Sequence, residues 1–243
     1  MRITIPDIKK KKAEGKKITM ITSYDAPFTK IIDKSGIDII LVGDSLGMVV
    51  QGNENTLSVT LDEMIYHTKI VVNNCKNSLV IADMPFLTYQ ISIEDAIKNC
   101  GEVIKKTNVQ GVKIEGGAEY KETIKALVKA SIPVMGHIGL LPQSVNKIGS
   151  FKVQGKSDKE REYLINSAKE LEEAGAFAIV LEAIPYDLAE EITKAVSIPT
   201  IGIGAGPYTD GQVLVIYDLL GMDSSFNPKF LKKYVNLELI ISD

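Results

Sequence analysis

The sequence predicts an α/β fold, a (β/α)8 TIM barrel in which each parallel strand is followed by a helix. Three observations carry that prediction. Short, β-branched apolar runs alternate with helical stretches from one end of the chain to the other, the pattern of strand-helix units around a parallel sheet. Eight such runs fit into 243 residues, close to the roughly 250 residues typical of this barrel. No linker or shift of composition interrupts them, so residues 1–243 read as a single domain, with a doubly wound open sheet as the runner-up.

The elements can be justified in order. The chain opens on a short helix whose lysines, Lys9 to Lys12 with Lys16 and Lys17, read as a solvated face. The strands are expected at Ile18 to Thr22, Ile37 to Val42, Leu79 to Ala82, Gly111 to Ile114, Pro133 to Gly136, Ala178 to Leu181, Thr200 to Ile203 and Gln212 to Ile216. Helix starts are marked by a hydroxyl three residues before an acid: Thr60 before Glu63, Ser92 before Asp95 and Ser157 before Glu160. Gly36 and Gly175 follow helical runs where a left-handed closing residue is wanted. In the helix after Thr60, the residues Leu61, Met64, Ile65 and Thr68 share one face.

Composition narrows the function. A net charge of -3 and a pI near 5.6 argue against nucleic acid as a partner, which demands a basic surplus. No apolar run reaches the ~18 residues of a membrane span, and Asp7 and Glu14 interrupt any signal core near the start. The expectation is therefore a cytoplasmic protein acting on small molecules. The two cysteines, Cys75 and Cys100, fall in helix-like segments without metal-ligand spacing and read as reduced thiols.

Barrel enzymes carry their chemistry on the loops at the carboxyl ends of the strands, and there the polar residues line up. Strand one runs into Ser23-Tyr24-Asp25, strand two into Gly43-Asp44-Ser45, and strand three into Asp83. Strand four carries Lys113 and ends at Glu115, strand five ends at His137, strand six at Glu182, and strand seven at Gly204-Ala205-Gly206. Asp44, Asp83 and Glu115 form an all-oxygen set of the kind a hard divalent ion such as magnesium prefers; the bland alternative is three loop acids facing water. Lys113 lies two residues before Glu115, hence on the same side of its strand, where it can bind a substrate carboxylate, form a Schiff base or pair with a neighbouring acid. Glu182 suits a general base opposite the metal or a rim salt bridge. His67, within a helix, reads as a packed or surface residue.

Two loops need separate treatment. Gly202-Ile203-Gly204-Ala205-Gly206-Pro207 looks superficially like a dinucleotide loop, but Pro207 replaces the last glycine and the motif follows the seventh strand, so a tight turn or a close approach to ligand is the better reading. The segment from Ile138 to Lys156 is long enough to be a lid or binding loop. No acid occurs from Thr123 to Ser157, and Lys147, Lys152 and Lys156 are expected to receive an anionic ligand tail.

Taken together, these motifs resemble one family over nearly the whole chain, in the family's order. Met20-Ile21-Thr22-Ser23-Tyr24-Asp25, Val42-Gly43-Asp44-Ser45-Leu46-Gly47-Met48-Val49, Ala82-Asp83-Met84-Pro85-Phe86 and Val112-Lys113-Ile114-Glu115-Gly116-Gly117 are similar to ketopantoate hydroxymethyltransferase. So are Gly136-His137-Ile138-Gly139-Leu140, Pro142-Gln143-Ser144-Val145, Leu181-Glu182, and the Gly202 to Gly206 run with Asp210-Gly211-Gln212-Val213-Leu214-Val215. The resemblance implies a barrel of the phosphoenolpyruvate/pyruvate type. It also implies a magnesium-dependent enzyme of pantothenate and coenzyme A biosynthesis, which moves a hydroxymethyl group from 5,10-methylenetetrahydrofolate to 3-methyl-2-oxobutanoate through a magnesium-stabilised enolate. By the same resemblance Asp44, Asp83 and Glu115 match the metal site, Asp44, Ser45, Asp83 and Lys113 match substrate-binding positions, and Glu182 matches the proton acceptor. His137 is assigned as a donor near the keto oxygen or a group orienting the folate.

Two departures from the family pattern are visible. Tyr217 stands before Asp218 where relatives usually have histidine. The family forms ring-like homo-oligomers, decamers in which the last helix contacts a neighbour, and Pro228 to Asp243 reads as a shortened version of that helix, predicting a smaller or looser assembly. Competing functions are another magnesium-dependent lyase or aldolase of 2-oxo acids, as in isocitrate-lyase-like barrels, a covalent lysine aldolase, and an inactive barrel retained for binding.

Overall fold

Eight parallel strands close on themselves in the computed structural model, which describes residues 2–149 and 152–243. They are β1 (Ile18–Thr22), β2 (Ile39–Val42), β3 (Leu79–Asp83), β4 (Gly111–Lys113), β5 (Val134–Gly139), β6 (Ala178–Glu182), β7 (Thr200–Ile203) and β8 (Gly211–Leu214). Each pairs with the next, and β8 returns to β1 from Ile18 opposite Gly211 to Ile21 opposite Leu214. That closure excludes the open sheet and gives the (β/α)8 class.

The strand limits differ from those expected in an instructive way. Three strands were expected to stop just before a charged or titratable residue, yet β3, β5 and β6 run on through Asp83, His137 and Glu182. Ladder hydrogen bonds use the main chain and are indifferent to side-chain polarity. β5 begins after Pro133, which has no N–H to give.

Side chains alternate across each strand. One parity (Ile18, Met20, Ile39, Leu41, Leu79, Ile81, Met135, Val180, Ile201 and Val213) fills the barrel interior. The other parity packs outward on the helices, as where Ile40, Val42, Val80 and Ala82 join Met64 and Val71 of the helix Leu61–Asn74 and Val103 of the helix Ile93–Thr107 in a continuous apolar layer. Thr60, Ser92 and Ser157 cap their helices as expected, each accepting the N–H of the acid three residues on. Gly36 and Gly175 close theirs at φ +79° and +98°.

The amino end of the barrel corrects the reading of the lysine cluster. The helix Ile5–Ala13 places Ile8, fully buried, against the interior core, and two of its lysines clasp the barrel instead of facing solvent. Lys11 Nζ pairs with Asp38 at 2.5 Å. Lys12 Nζ pairs with Asp210 at 2.9 Å and donates to the carbonyls of Thr193, Val196 and Ile198 at 3.1, 3.0 and 2.9 Å. An ammonium suits the last carbonyls of the helix Tyr186–Ala195, where the helix dipole is negative.

The expectation of a helix after every strand fails at the seventh. β7 passes to β8 through residues 204–210, where Gly204 and Gly206 hold φ at +62° and +77° and Pro207 has no N–H to donate. After β8 come two short helices, Ile216–Leu219 and Leu237–Ser242, so only the last part of the expected carboxyl-terminal helix forms. Among the described residues no helix is long and apolar enough to cross a membrane. Cys100 lies within its helix and Cys75 just past the end of one; both are free and buried.

Candidate active site

Strand parity explains how the polar residues meet. Asp83 continues the inward series of Leu79 and Ile81, His137 that of Met135, and Glu182 that of Val180, so the interior's top layer is polar where the layers beneath are apolar. β4 brings Lys113 opposite Asp83, and β6 brings Glu182 opposite Gly139. Asp44 reaches the same mouth from the turn after β2, which the helical turn Leu46–Val49 follows at once. Only glycine fits at position 47 there, because a Cβ would come within 2.6 Å of Val59 and 3.3 Å of the Asn55 carbonyl.

Asp44, Asp83, Lys113, Glu115 and His137 are all buried. Lys113 Nζ lies 2.9 Å from Asp83 Oδ1, 3.1 Å from His137 Nδ1 and 3.9 Å from Glu115 Oε1. The main-chain N–H of Asp44 donates to Asp83 Oδ2 at 3.4 Å. His137 Nε2 is 3.2 Å from Glu182 Oε2, out of line for a good hydrogen bond. Glu182 is the acid of this ring that reaches solvent, with 21% of its side chain exposed. The sequence-predicted residues from β2 to β6 are thus assembled around the mouth, the acids of β2, β3 and β4 adjacent and Glu182 of β6 opposite Asp44.

The charges do not balance. Burial, then the charges of Asp83 and Glu115, push the Asp44 carboxyl well above the usual range. Burial raises Asp83 as well, against the pull of Lys113. At Glu115 burial is outweighed by its contact with His137, by the His137 and Lys113 charges and by the Gln143 N–H, and its carboxyl falls. Burial opposes the Lys113 ammonium, but Asp83, Glu115 and Asp44 hold it charged, which argues against the Schiff-base reading, since that chemistry needs a neutral amine. Burial and Lys113 depress the His137 imidazole while Glu115 and Glu182 raise it, with a balance at about 9. The 3.1 Å contact with Lys113 Nζ opposes a fully protonated ring, because two donors cannot face each other. Where Nδ1 accepts from Lys113 the single ring proton sits on Nε2, facing Glu182; a second proton on Nδ1 places the imidazolium charge beside Glu115.

Three buried acids around one ammonium leave a deficit of positive charge, which a divalent cation fits. The donor set is hard oxygen throughout. Among the described residues no three His, Cys, Asp or Glu side chains close on one point as a ready-made cage. Magnesium does not need one, since it commonly takes one or two carboxylates and completes its shell with water and substrate oxygens. Glu115 Oε2 accepts the Gln143 N–H at 3.0 Å, while Oε1 lies 3.6 Å from His137 Nδ1 and 3.9 Å from Lys113 Nζ, beyond hydrogen-bond distance.

Other expected residues fall into place around this cluster. Ser45 shares a 2.8 Å hydrogen bond with the buried Tyr24 hydroxyl. His67 is tied to the Tyr24 carbonyl through Nδ1 at 2.7 Å and serves packing, as read. Tyr217 packs against Tyr24 and Phe28 in tilted and edge-on contacts, with ring centroids 5.8 and 5.7 Å away. The glycine loop after β7 lines a cavity of about 270 Å³ with Leu214 and Phe230. Lys147, Lys152 and Lys156 are exposed on the long connection after β5, whose residues 150 and 151 lie outside the described residues. Sequence reasoning quoted Gln143 but gave it no role, and it passed over Tyr89. Both are buried in the acid cluster, and nothing local in the sequence marks a neutral amide or a phenol as part of it.

Comparison with known proteins agrees with this fold. The barrel is similar to phosphonopyruvate hydrolase solved with oxalate and Mg2+, at TM-score 0.67 and 11% identity over 88% of this chain and 80% of that one. It is also similar to 2,3-dimethylmalate lyase, a PEP mutase/isocitrate lyase superfamily member, at TM-score 0.63 and 15% identity over 88% and 81%; likeness at such low identity shows the fold. In sequence the chain is 55% identical to the 3-methyl-2-oxobutanoate hydroxymethyltransferase of Geobacter metallireducens, over 98% of this chain and 90% of that protein. It is 58% identical to the enzyme of the same name from Clostridium botulinum, over 98% and 86%. The family model described as ketopantoate hydroxymethyltransferase matches residues 2–243, and on that match and those identities the chain belongs to the ketopantoate hydroxymethyltransferase family.

Proposed function

We propose that this chain transfers a hydroxymethyl group from 5,10-methylenetetrahydrofolate to 3-methyl-2-oxobutanoate, yielding 2-dehydropantoate and tetrahydrofolate with the uptake of one water. The observation that carries the reading is the buried, charge-deficient cluster of Asp44, Asp83 and Glu115 around Lys113, with Glu182 across the mouth from Asp44. Asp44 and Asp83 would hold magnesium directly, and Glu115, the third acid of the set, would add negative charge beside them. When bound, the ion supplies positive charge toward the substrate's keto oxygen and so makes the neighbouring C3 proton more acidic.

The chain's own groups account for the rest. Lys113, kept charged by its acids, faces the substrate carboxylate, and the half-buried Ser45, its hydroxyl oriented by Tyr24, donates to the same group. Glu182 takes the C3 proton. His137, 3.2 Å from Glu182 through Nε2, lies beside the base. The exposed Phe226, Phe230, Tyr234, Leu239, Ile240 and Ile241 support the homo-oligomer that membership of the family implies.

Proton-deuteron exchange at C3 of 3-methyl-2-oxobutanoate in heavy water, followed by NMR, isolates the first step from the folate. Magnesium-dependent exchange is expected, with a fall of about 100-fold or more in Glu182→Gln, the scale of general-base catalysis. An intact protein that exchanges nothing, even with tetrahydrofolate added, would sink the reading.

A further inference from the structure

Gln143 sits in the turn Pro142–Ser144 that opens the long connection after β5, yet its side chain crosses the barrel mouth to β2. Its Nε2 donates to Asp44 Oδ2 and to the Met84 carbonyl, both at 2.9 Å. Its Oε1 accepts from the Tyr89 hydroxyl at 3.0 Å and from Gln90 Nε2 at 3.1 Å. Its main-chain N–H donates to Glu115 Oε2 at 3.0 Å. The Tyr89 hydroxyl in turn accepts the Glu115 N–H at 3.1 Å. Both amide hydrogens and the amide oxygen are therefore satisfied, which fixes the orientation of the group: turned over, its oxygen would face Asp44 and the Met84 carbonyl, two acceptors.

We propose that Gln143 is a positioning residue: it locks the Asp44 carboxylate by one oxygen and Glu115 by another, so that Asp44 presents Oδ1 to a bound divalent cation. Two features support this over a purely structural role. Asp44 would otherwise be free to turn its charge away from Asp83 and Glu115, since Oδ1 takes no hydrogen bond among the described residues. And Gln143 is the point where the long connection after β5 touches the acid cluster, so the placement of that connection is transmitted to Asp44.

The inference rests on the reading that these acids hold a divalent cation, and the test separates the two. Mn2+ serves as the probe, its binding to the substrate-free protein followed by electron paramagnetic resonance, with thermal melting in parallel. Gln143→Met keeps the volume and removes the side-chain bonds to Asp44, Met84, Tyr89 and Gln90, leaving the main-chain bond to Glu115 in place. An affinity about tenfold weaker is expected, the factor a charge-assisted hydrogen bond is worth, together with a raised KM for the 2-oxo acid. A folded Gln143→Met that binds Mn2+ as tightly as the parent overturns the role of Gln143 alone, and a parent that binds no Mn2+ overturns the cation reading and this inference with it. If Gln143→Met fails to fold, Gln90→Leu removes a single donor to the amide oxygen from a half-buried position. About threefold weaker binding is then expected, and parental affinity overturns the proposal.

Discussion

Replacing Asp33 with asparagine tests how the active-site strand β3 is aimed. Asp33 lies in the last turn of the helix Ala26–Lys34, and the turn of residues 75–78 wraps around its carboxylate. Oδ1 accepts from the N–H groups of Asn77 and Ser78 at 2.8 and 2.9 Å, from Ser78 Oγ at 3.2 Å and from Cys75 Sγ at 3.2 Å. Oδ2 accepts from Lys76 N and Asn77 Nδ2, both at 2.9 Å. The next residue after that turn begins β3, which ends at Asp83. In Asp33→Asn one oxygen becomes a donor; the favoured orientation places it where Oδ2 was, facing two donors, and the other bonds lose their charge. Hydrogen bonds to charged groups are worth about 1.5–3 kcal/mol each and are not additive within a network, so the expected loss is about 3–4 kcal/mol. For a domain of this size that is a fall of about 10 °C in Tm. Urea unfolding at pH 7 measures it, and a loss below about 1 kcal/mol would refute the reasoning, because the turn would then take its shape from elsewhere. The pH dependence adds a second check. Burial pushes the Asp33 carboxyl up, but the N–H groups of Ser78, Lys76 and Asn77 hold it far below the usual carboxylate range. A depressed folded value contributes stability that is full above the unfolded pKa of about 3.9 and is lost as pH falls. The gap between parent and variant should therefore shrink progressively below about pH 5.

Two further outcomes follow from the same structure. In Gly139→Ala the backbone must keep φ +98° while the new Cβ meets the Glu182 carbonyl oxygen at 2.2 Å and Ile184 at 2.8 Å. About 1–3 kcal/mol of strain and a displaced Glu182 are expected, so C3 exchange should fall at least about tenfold even where circular dichroism shows a folded barrel; parental exchange would contradict the placement of Glu182 beside Gly139. Asp218 is pushed up to about 6 by burial and by Asp223, so stability falls as pH rises from the unfolded value of about 3.9, and the loss is complete above about 6. Asp218→Asn should gain about 1 kcal/mol at pH 8 after discounting for its partial exposure, and little at pH 4, where the folded parent is neutral and most of the linkage is gone. Urea midpoints at the two pH values measure this, and an equal gain at both would point to packing instead of charge.

What the sequence made legible follows from the range over which each signal acts. The barrel was readable because apolar alternation and helix caps are local. The acids and bases at the strand ends were readable because charge at the end of an apolar run is conspicuous. Two lysines of the first helix, Lys11 and Lys12, were misread, since what decides their role is contact with carbonyls and acids far along the chain: Lys12 meets Ile198 across 186 residues. Gln143 was left without a role for the same reason, its partner Asp44 lying 99 residues away. The missing helix after β7 had a local signal in Gly204, Gly206 and Pro207, and counting one helix per strand overrode it.

The two ends of the barrel then differ in a way that bears on function. At the amino end each buried or half-buried acid has a partner: Asp38 has Lys11 and the Thr19 N–H, and Asp210 has Lys12 and the Thr200 N–H. At the carboxyl end Asp44, Asp83 and Glu115 share Lys113, and Asp44 is driven toward protonation. The same strands build both ends, so the contrast is not a property of the fold. A scaffold selected for stability alone would leave neither the repulsion among these acids nor a buried ammonium shared between them, because removing one acid would relieve both. The unmatched charge is what a cation and an anionic 2-oxo acid together would complete. On this argument Asp44→Asn should stabilise the ligand-free barrel while abolishing magnesium-dependent exchange, the opposite signs that separate a residue kept for chemistry from one kept for folding.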